Sequence, residues 1–260
     1  MQLRHLLLYI SHKYTSGYAY MSVRSSISAL AFIQNFIQAP DITKNFMVVK
    51  ALNGFKRLKP SKDIRSPVTL ELLQKLIQTV SVIVPDSFMA ALLKAMYSLA
   101  FFAFLRIGEM TGSHQTNHQL QLHAITVNQK DNTMTVTFET YKHKQDANPF
   151  RLRLHNTCST VPVVTLMCQY LKRRGFRPGP LFILQNGRAI ERKVFSDHLK
   201  RNVTLCSSGQ IVNIRPHSFR IGAATHAIEI GYSEDQVRVM GRWRSQAFRN
   251  YVRIPVLSFK

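Results

Sequence analysis

The chain has 260 residues, 45% of them hydrophobic, which supplies a core of real size and excludes global disorder. Lys and Arg number 35 against 13 acidic residues, a formal net charge of +22, and such a surplus calls for a polyanion, nucleic acid first and an anionic membrane second. Cys158, Cys168 and Cys206 are odd in number and lack C-x-x-C spacing, which argues against a disulfide framework or a zinc site and for a reducing, intracellular compartment, and the most apolar run, Ala95 to Leu105, is too short to span a bilayer, so a soluble protein is expected.

Residues 1–60 read as a helical domain. In the stretch SVRSSISALAFIQNFIQ, apolar Val23, Ile27, Leu30, Ile33 and Phe36 recur at three and four. Pro40 and Asp41 break the pattern, and a further helix is expected from Phe46 to Phe55. Lys56, Arg57, Lys59 and Lys62 crowd around Pro60, and residues 61–68 read as a basic linker. Such a cluster is either a solvated connector or a contact for DNA backbone.

A second domain is expected over 69–260. Thr69 opens a helical pattern with Glu71 in its first turn, and the next helix, FMAALLKAMYSLAFFAFL, is apolar nearly all round. That helix runs into Arg106, where an unpaired charge would be expensive, and Glu109 is placed to pair with it. AITVNQ, MTVTFETY and FRLRLH then alternate as strands, with turns at Lys130–Asn132 and Gln145–Pro149. Lys142 and Lys144 stand near the second turn. Helices resume at VVTLMCQYLKRRG, LFIL reads as a short buried strand, and ERKVFSDHLKRNVTLC is amphipathic. A helix bearing His217 and Arg220 follows, one turn apart and so on one face. Ser233 and Gln236 form a capping-box pattern, Gly241 ends that helix, and a last short helix carries Tyr251. The fold class expected is mainly α with a small antiparallel sheet.

Arg106 in FLRIGEM, Lys142 in YKHK, His217 and Arg220 in PHSFRIGAAT, Trp243 in GRW and Tyr251 in RNYVR make an ordered set. Here the chain resembles the tyrosine recombinase (phage-integrase) family over about residues 66–260. The wording is most similar to recombinases of eukaryotic DIRS-like or Ngaro-like retroelements and Cryptons.

The resemblance implies a shortened core-binding domain that clamps DNA, followed by an α+β catalytic domain. It implies DNA strands cut and rejoined through a 3′-phosphotyrosyl link to Tyr251, without cofactor, metal or ATP. Arg106 and Arg220, planar and permanently charged, would hold the non-bridging phosphate oxygens, with Glu109 orienting Arg106. His217 would take or share the Tyr251 proton, and Lys142, or else Lys144, would be the general acid. Trp243 would donate to a phosphate oxygen, with Arg242 as the other candidate for that position. Lys56, Arg57, Lys59, Lys62, Lys144 and Arg242 are the expected DNA contacts. The partners implied are double-stranded DNA and further copies of the chain, as a dimer or tetramer, with no membrane; a eukaryotic source would place it in the nucleus. A decayed or domesticated DNA-binding relic and a monomeric relaxase of the type IB topoisomerase kind share parts of this pattern. A nucleophilic tyrosine is superfluous for binding alone.

Overall fold

The computed structural model describes residues 2–60, 63–112, 118–142, 144, 147–156, 160–206 and 213–253. Lys62, Cys158, and Gln145 and Asp146 of the second expected turn lie outside the described residues. The chain divides into two compact units, Met1–Ile64 and Arg65–Lys260.

The first unit is built from helices α1 (Leu3–Thr15), α2 (Tyr20–Phe36) and α3 (Phe46–Leu58). Leu6, Ile10, Tyr20, Val23, Ile27, Val48 and Phe55 form its core, with Tyr14 and Tyr20 edge-on to the Phe55 ring. The apolar stripe of α2 is buried only in part. Val23 and Ile27 are enclosed, whereas Ile33 and Phe36 are exposed and the polar Gln34 between them is the buried residue of that last turn. Asn45 caps α3 by accepting the Met47 N–H, at 2.9 Å.

The second unit contains α4 (Leu70–Ile83), α5 (Ser87–Phe102), α6 (Ile107–Met110), β1 (Ile125–Asn128), β2 (Thr133–Phe138), β3 (Phe150–His155), α7 (Val163–Arg174), α8 (Arg192–Cys206), α9 (Ser218–Glu229) and α10 (Glu234–Met240). A short 3-10 turn, Gln246–Asn250, follows. The strands form an antiparallel sheet in the order β1-β2-β3, with Val136 opposite both Ile125 and Leu152. Asn132 closes the first hairpin with φ +51°, a conformation that asparagine tolerates well. Helix α5 is the axis of the core, and its Leu92, Leu93, Met96, Tyr97, Leu99 and Ala100 are wholly buried. The mainly α class with a small antiparallel sheet is therefore borne out.

Two details depart from the sequence reading. The stretch expected to be linker as far as residue 68 is docked into the second unit from Ser66. The Ser66 and Val68 N–H groups donate to the Asn213 and Ser218 carbonyls, at 3.1 and 3.0 Å. A Cβ added to Gly222 on α9 would stand 1.8 Å from the Val68 carbonyl oxygen, so this close approach admits only glycine. LFIL is buried but forms no strand. Its backbone groups are split between scattered backbone partners and side chains: the Leu181 N–H donates to the Leu120 carbonyl at 2.8 Å, Arg174 Nε donates to the Leu181 carbonyl at 2.9 Å, and the Ile183 N–H donates to the Tyr170 hydroxyl at 2.9 Å. Among the described residues, no helix is long and apolar enough to cross a membrane.

Candidate active site

The site grows from the end of α5. Phe104 takes φ +52° and turns the chain, leaving Arg106 as the extended residue before α6. Glu109, three residues on, reaches back. Its carboxylate accepts the Arg106 N–H at 2.9 Å and the Arg106 Nη1 at 3.0 Å. Arg106 Nη2 donates to the Arg242 carbonyl at 3.3 Å, and 23% of the Arg106 side chain stays exposed.

Arg242 corrects an expectation. It was placed among the DNA contacts, or in the position of Trp243, yet its side chain is fully enclosed. It pairs with the other oxygen of Glu109 at 2.9 Å, and its guanidinium stands over the Phe138 ring, 3.7 Å from the centroid. A charge shut away in this manner is tolerable only because Glu109 balances it. Burial alone would raise the Glu109 carboxyl, but the Arg242, Arg106 and Arg220 guanidiniums outweigh it and leave the group below its ordinary value.

The sequence RPHSFR starts α9 at Ser218, so His217 is its N-cap and the Arg220 N–H bonds to the His217 carbonyl, at 3.1 Å. Arg220 points inward and is wholly buried. Its Nη1 and Nη2 donate to the carbonyls of Phe104 and Gly241, and its Nε has no partner among the described residues. The Trp243 ring lies 4.1 Å from the Arg220 guanidinium. Burial first, then repulsion from Arg106 and Arg242, push Arg220 well below its ordinary pKa. Three guanidiniums share one carboxylate here, which leaves positive charge in excess and favours an anion.

Tyr251 caps the 3-10 turn instead of riding on a regular helix. The five-residue turn is capped by Ser245, and α9 holds the segment through Thr225, whose hydroxyl donates to the Tyr251 carbonyl at 3.4 Å and accepts the Arg253 N–H at 3.0 Å. The Tyr251 ring is half-buried, 4.9 Å from the His217 ring and 5.1 Å from the Trp243 ring. The Arg220 guanidinium is 5.9 Å from its centroid. Trp243 packs against Phe104 and Phe248, and a Cβ on Gly241 would fall 1.6 Å from its ring.

The structure thus gathers Arg106, Glu109, His217, Arg220, Trp243 and Tyr251. Lys142 stands exposed on the β2–β3 connection, apart from this group's contacts, and Lys144 turns back to donate to the Glu139 carbonyl. In the first unit Lys56 and Arg57 are exposed in the last turn of α3. Lys59 is turned inward, bonded to the Tyr14 carbonyl at 2.6 Å and lying 4.6 Å over the Tyr14 ring, so it is committed to holding α1. Among the described residues no cluster of His, Cys, Asp or Glu side chains is placed to hold a metal ion.

A cleft of about 630 Å³ opens beside His217, lined by Arg65, Arg192, Lys200 and Arg215 together with Asp197. Sequence reasoning missed these cations. Arg215 lies two residues before His217 and could have been found by that proximity; Arg65 and Arg192 come from distant stretches and carry no local signal.

The sequence matches no protein-family model and no curated protein sequence. Solved structures do match the fold. XerH site-specific recombinase bound to palindromic difH substrate, in a post-cleavage complex, superposes with a TM-score of 0.68 at 14% identity, covering 96% of this chain and 68% of that one. The Tn1549 transposon integrase in complex with circular intermediate DNA gives 0.63 at 14% identity, over 98% and 82%. A lambda integrase dimer bound to a COC′ core site gives 0.62 at 14% identity, over 100% and 68%. The chain has the fold of site-specific tyrosine recombinases and integrases.

Proposed function

We propose that this chain is a site-specific DNA recombinase or integrase that cuts and rejoins strands through Tyr251, serving the integration of a mobile element. The observation that carries the reading is the buried Arg220 guanidinium, 5.9 Å from the centroid of the half-buried Tyr251 ring and part of a cluster in which Arg106, Arg220 and Arg242 share the single Glu109 carboxylate. The Tyr251 oxygen attacks the phosphorus and forms the 3′-phosphotyrosyl bond as the bond to the 5′ oxygen breaks. His217 takes or shares the phenol proton, and Lys142 on its exposed connection supplies the proton to the leaving oxygen. Arg106 and Arg220 balance the charge that builds on the non-bridging oxygens, and Trp243 holds Arg220 and the tyrosine in register. The reverse attack by a 5′ hydroxyl rejoins the strand, so the bond energy is conserved and neither metal nor ATP is consumed. The first unit clamps DNA, and copies of the chain associate on it. A retroelement of the DIRS or Crypton kind in a eukaryotic nucleus is the source this reading favours.

The test is to incubate the protein with a nicked duplex from which the short leaving fragment, bearing the free 5′ hydroxyl, is lost once the strand is cut. A covalent protein–DNA adduct that survives denaturation is expected. A second reading, a DNA-binding relic that no longer cuts, draws on the enclosed Arg220, whose two terminal nitrogens are both engaged by carbonyls. An intact protein that binds the duplex and yields no adduct on any candidate site would favour the relic.

Two further outcomes are expected. Arg220→Ala lowers the rate of adduct formation on the order of 1000-fold, since it removes a charged double donor that acts as charge develops; a rate near wild type would remove Arg220 from the chemistry. The exposed cations of the His217 cleft contact DNA phosphates. Arg192→Ala and Arg215→Ala should therefore each flatten the dependence of log K on log salt by about 0.9, since each contact releases counterions. An unchanged slope by fluorescence anisotropy would place the DNA elsewhere.

A further inference from the structure

Three consecutive residues hold the two arginines proposed to act on phosphate. The Gly241 carbonyl accepts from Arg220 Nη2, the Arg242 carbonyl accepts from Arg106 Nη2 at 3.3 Å, and the Trp243 ring lies 4.1 Å from the Arg220 guanidinium. Resting on the recombinase reading, we infer that the Gly241–Trp243 turn is a bracket that aims both arginines, and that the buried Arg242 side chain is the positioning residue that locks it.

The turn does not hold itself. Arg242 has φ +55°, a left-handed conformation unusual for a residue with a Cβ, so tertiary contacts must impose it. Its own guanidinium supplies them. Nη1 donates to the Ala103 and Met240 carbonyls at 3.2 and 3.3 Å, and Nη2 to Glu109 at 2.9 Å and the Phe104 carbonyl at 3.3 Å. The Phe104 carbonyl also receives Arg220 Nη1. Residues 103–106 and 241–243, far apart in sequence, are thereby stapled face to face by two guanidiniums with Glu109 between them. Only a planar fork with several donors serves four acceptors at once. A buried ion pair contributes little stability relative to apolar packing, so its value here is geometric. Arg242 itself, fully enclosed, touches no substrate.

The test uses the whole chain carrying Arg242→Met, which keeps volume on Phe138 without charge, and Arg242→Lys, which keeps the charge opposite Glu109. With Arg242→Met, single-turnover adduct formation should fall about 100-fold, as expected for groups displaced by around an ångström, while DNA affinity is unchanged. Arg242→Lys should recover part of that loss. In an Arg106→Ala background, Arg242→Met should cost clearly less than its about 100-fold in the wild type, because the share of the loss that runs through Arg106 is already gone and only the share through Arg220 remains. Fully additive losses, or Met as active as Lys, would reduce Arg242 to packing and overturn the bracket. A second measurement is independent of activity. The Nε–Hε NMR signal of Arg106, assigned by its loss in Arg106→Ala, should move and broaden in Arg242→Met and return towards its position in Arg242→Lys; an unmoved signal overturns the proposal. Should wild-type protein form no adduct, the recombinase reading fails by itself and this spectrum still decides the bracket. If Arg242→Met does not fold, the Lys variant against wild type decides it by the same signal: a shifted or broadened Arg106 signal supports the bracket and an unmoved one refutes it.

Discussion

Tyr251→Phe is expected to abolish covalent adduct formation outright while leaving DNA affinity and melting temperature near those of the wild type. The substitution deletes one oxygen and keeps the ring, so the contacts with His217 and Trp243 persist. The segment is also tied down by backbone groups that phenylalanine retains, through Thr225 and Phe248. Without the nucleophile no arrangement of cations can make a covalent link, and the loss should be total instead of graded. Other tyrosines are poor substitutes. Tyr97 is buried and accepts a hydrogen bond from Asn202, and burial pushes its hydroxyl up. Tyr170 is bonded to the Leu181 carbonyl and the Ile183 N–H, and burial pushes it up to about 12. Denaturing gels of the nicked-substrate reaction check the loss, and anisotropy checks that binding survives. A full adduct yield from Tyr251→Phe would assign the chemistry to another residue.

Glu109→Gln is expected to destabilise the second unit by about 3–5 kcal/mol, the usual cost of leaving a buried charge without its partner. The amide fills the same space but leaves Arg242 enclosed and uncompensated, with Arg106 and Arg220 close by. For a unit of this size the melting temperature should fall by about 10 °C, measured by scanning calorimetry. The pH dependence follows from the direction of the shift. The folded Glu109 carboxyl lies below its ordinary value, so its stabilising contribution is complete above the unfolded value, roughly 4.3. It is lost as pH falls through the lower, folded value. The gap between wild type and Glu109→Gln should therefore stay constant above about pH 5 and close in stronger acid. A gap independent of pH into acid, or no gap at neutrality, would mean that Glu109 is not the ionised partner of the three arginines.

Much of this architecture was legible because local and global signals agree. The helical pattern opening at Thr69, the all-apolar α5, the alternation of the strands and the Ser233–Gln236 capping box all recur as built structure. In the capping box the Ser233 oxygen accepts the Gln236 N–H at 3.2 Å and the Gln236 oxygen accepts the Ser233 N–H at 2.8 Å. What stayed hidden depends on tertiary partners. An arginine beside a tryptophan reads as surface charge, and nothing local announces that Glu109, 133 residues earlier, will draw Arg242 into the core. The apolar end of α2 reads as core because periodicity marks a face and does not reveal which of its turns find a packing partner. LFIL reads as strand because nothing local shows that its backbone groups divide among the Leu120 and Arg188 backbone, the Tyr170 hydroxyl and Arg174, with no neighbouring strand among the described residues to pair along its length. The spacing of His217 and Arg220 predicts a shared helix face, whereas His217 stands before the helix as its N-cap and Arg220 turns inward to the carbonyls of Phe104 and Gly241.

Everything proposed for this chain turns on one phenol oxygen becoming bonded to phosphorus, and mass spectrometry of the trapped adduct tests that directly. Digestion with trypsin and nuclease should leave a nucleotide remnant on the short peptide that runs from Asn250 to Arg253, through Tyr251 and Val252. A remnant on any other peptide, or a sequence-specific complex from which no linked peptide is ever recovered, would contradict the assignment.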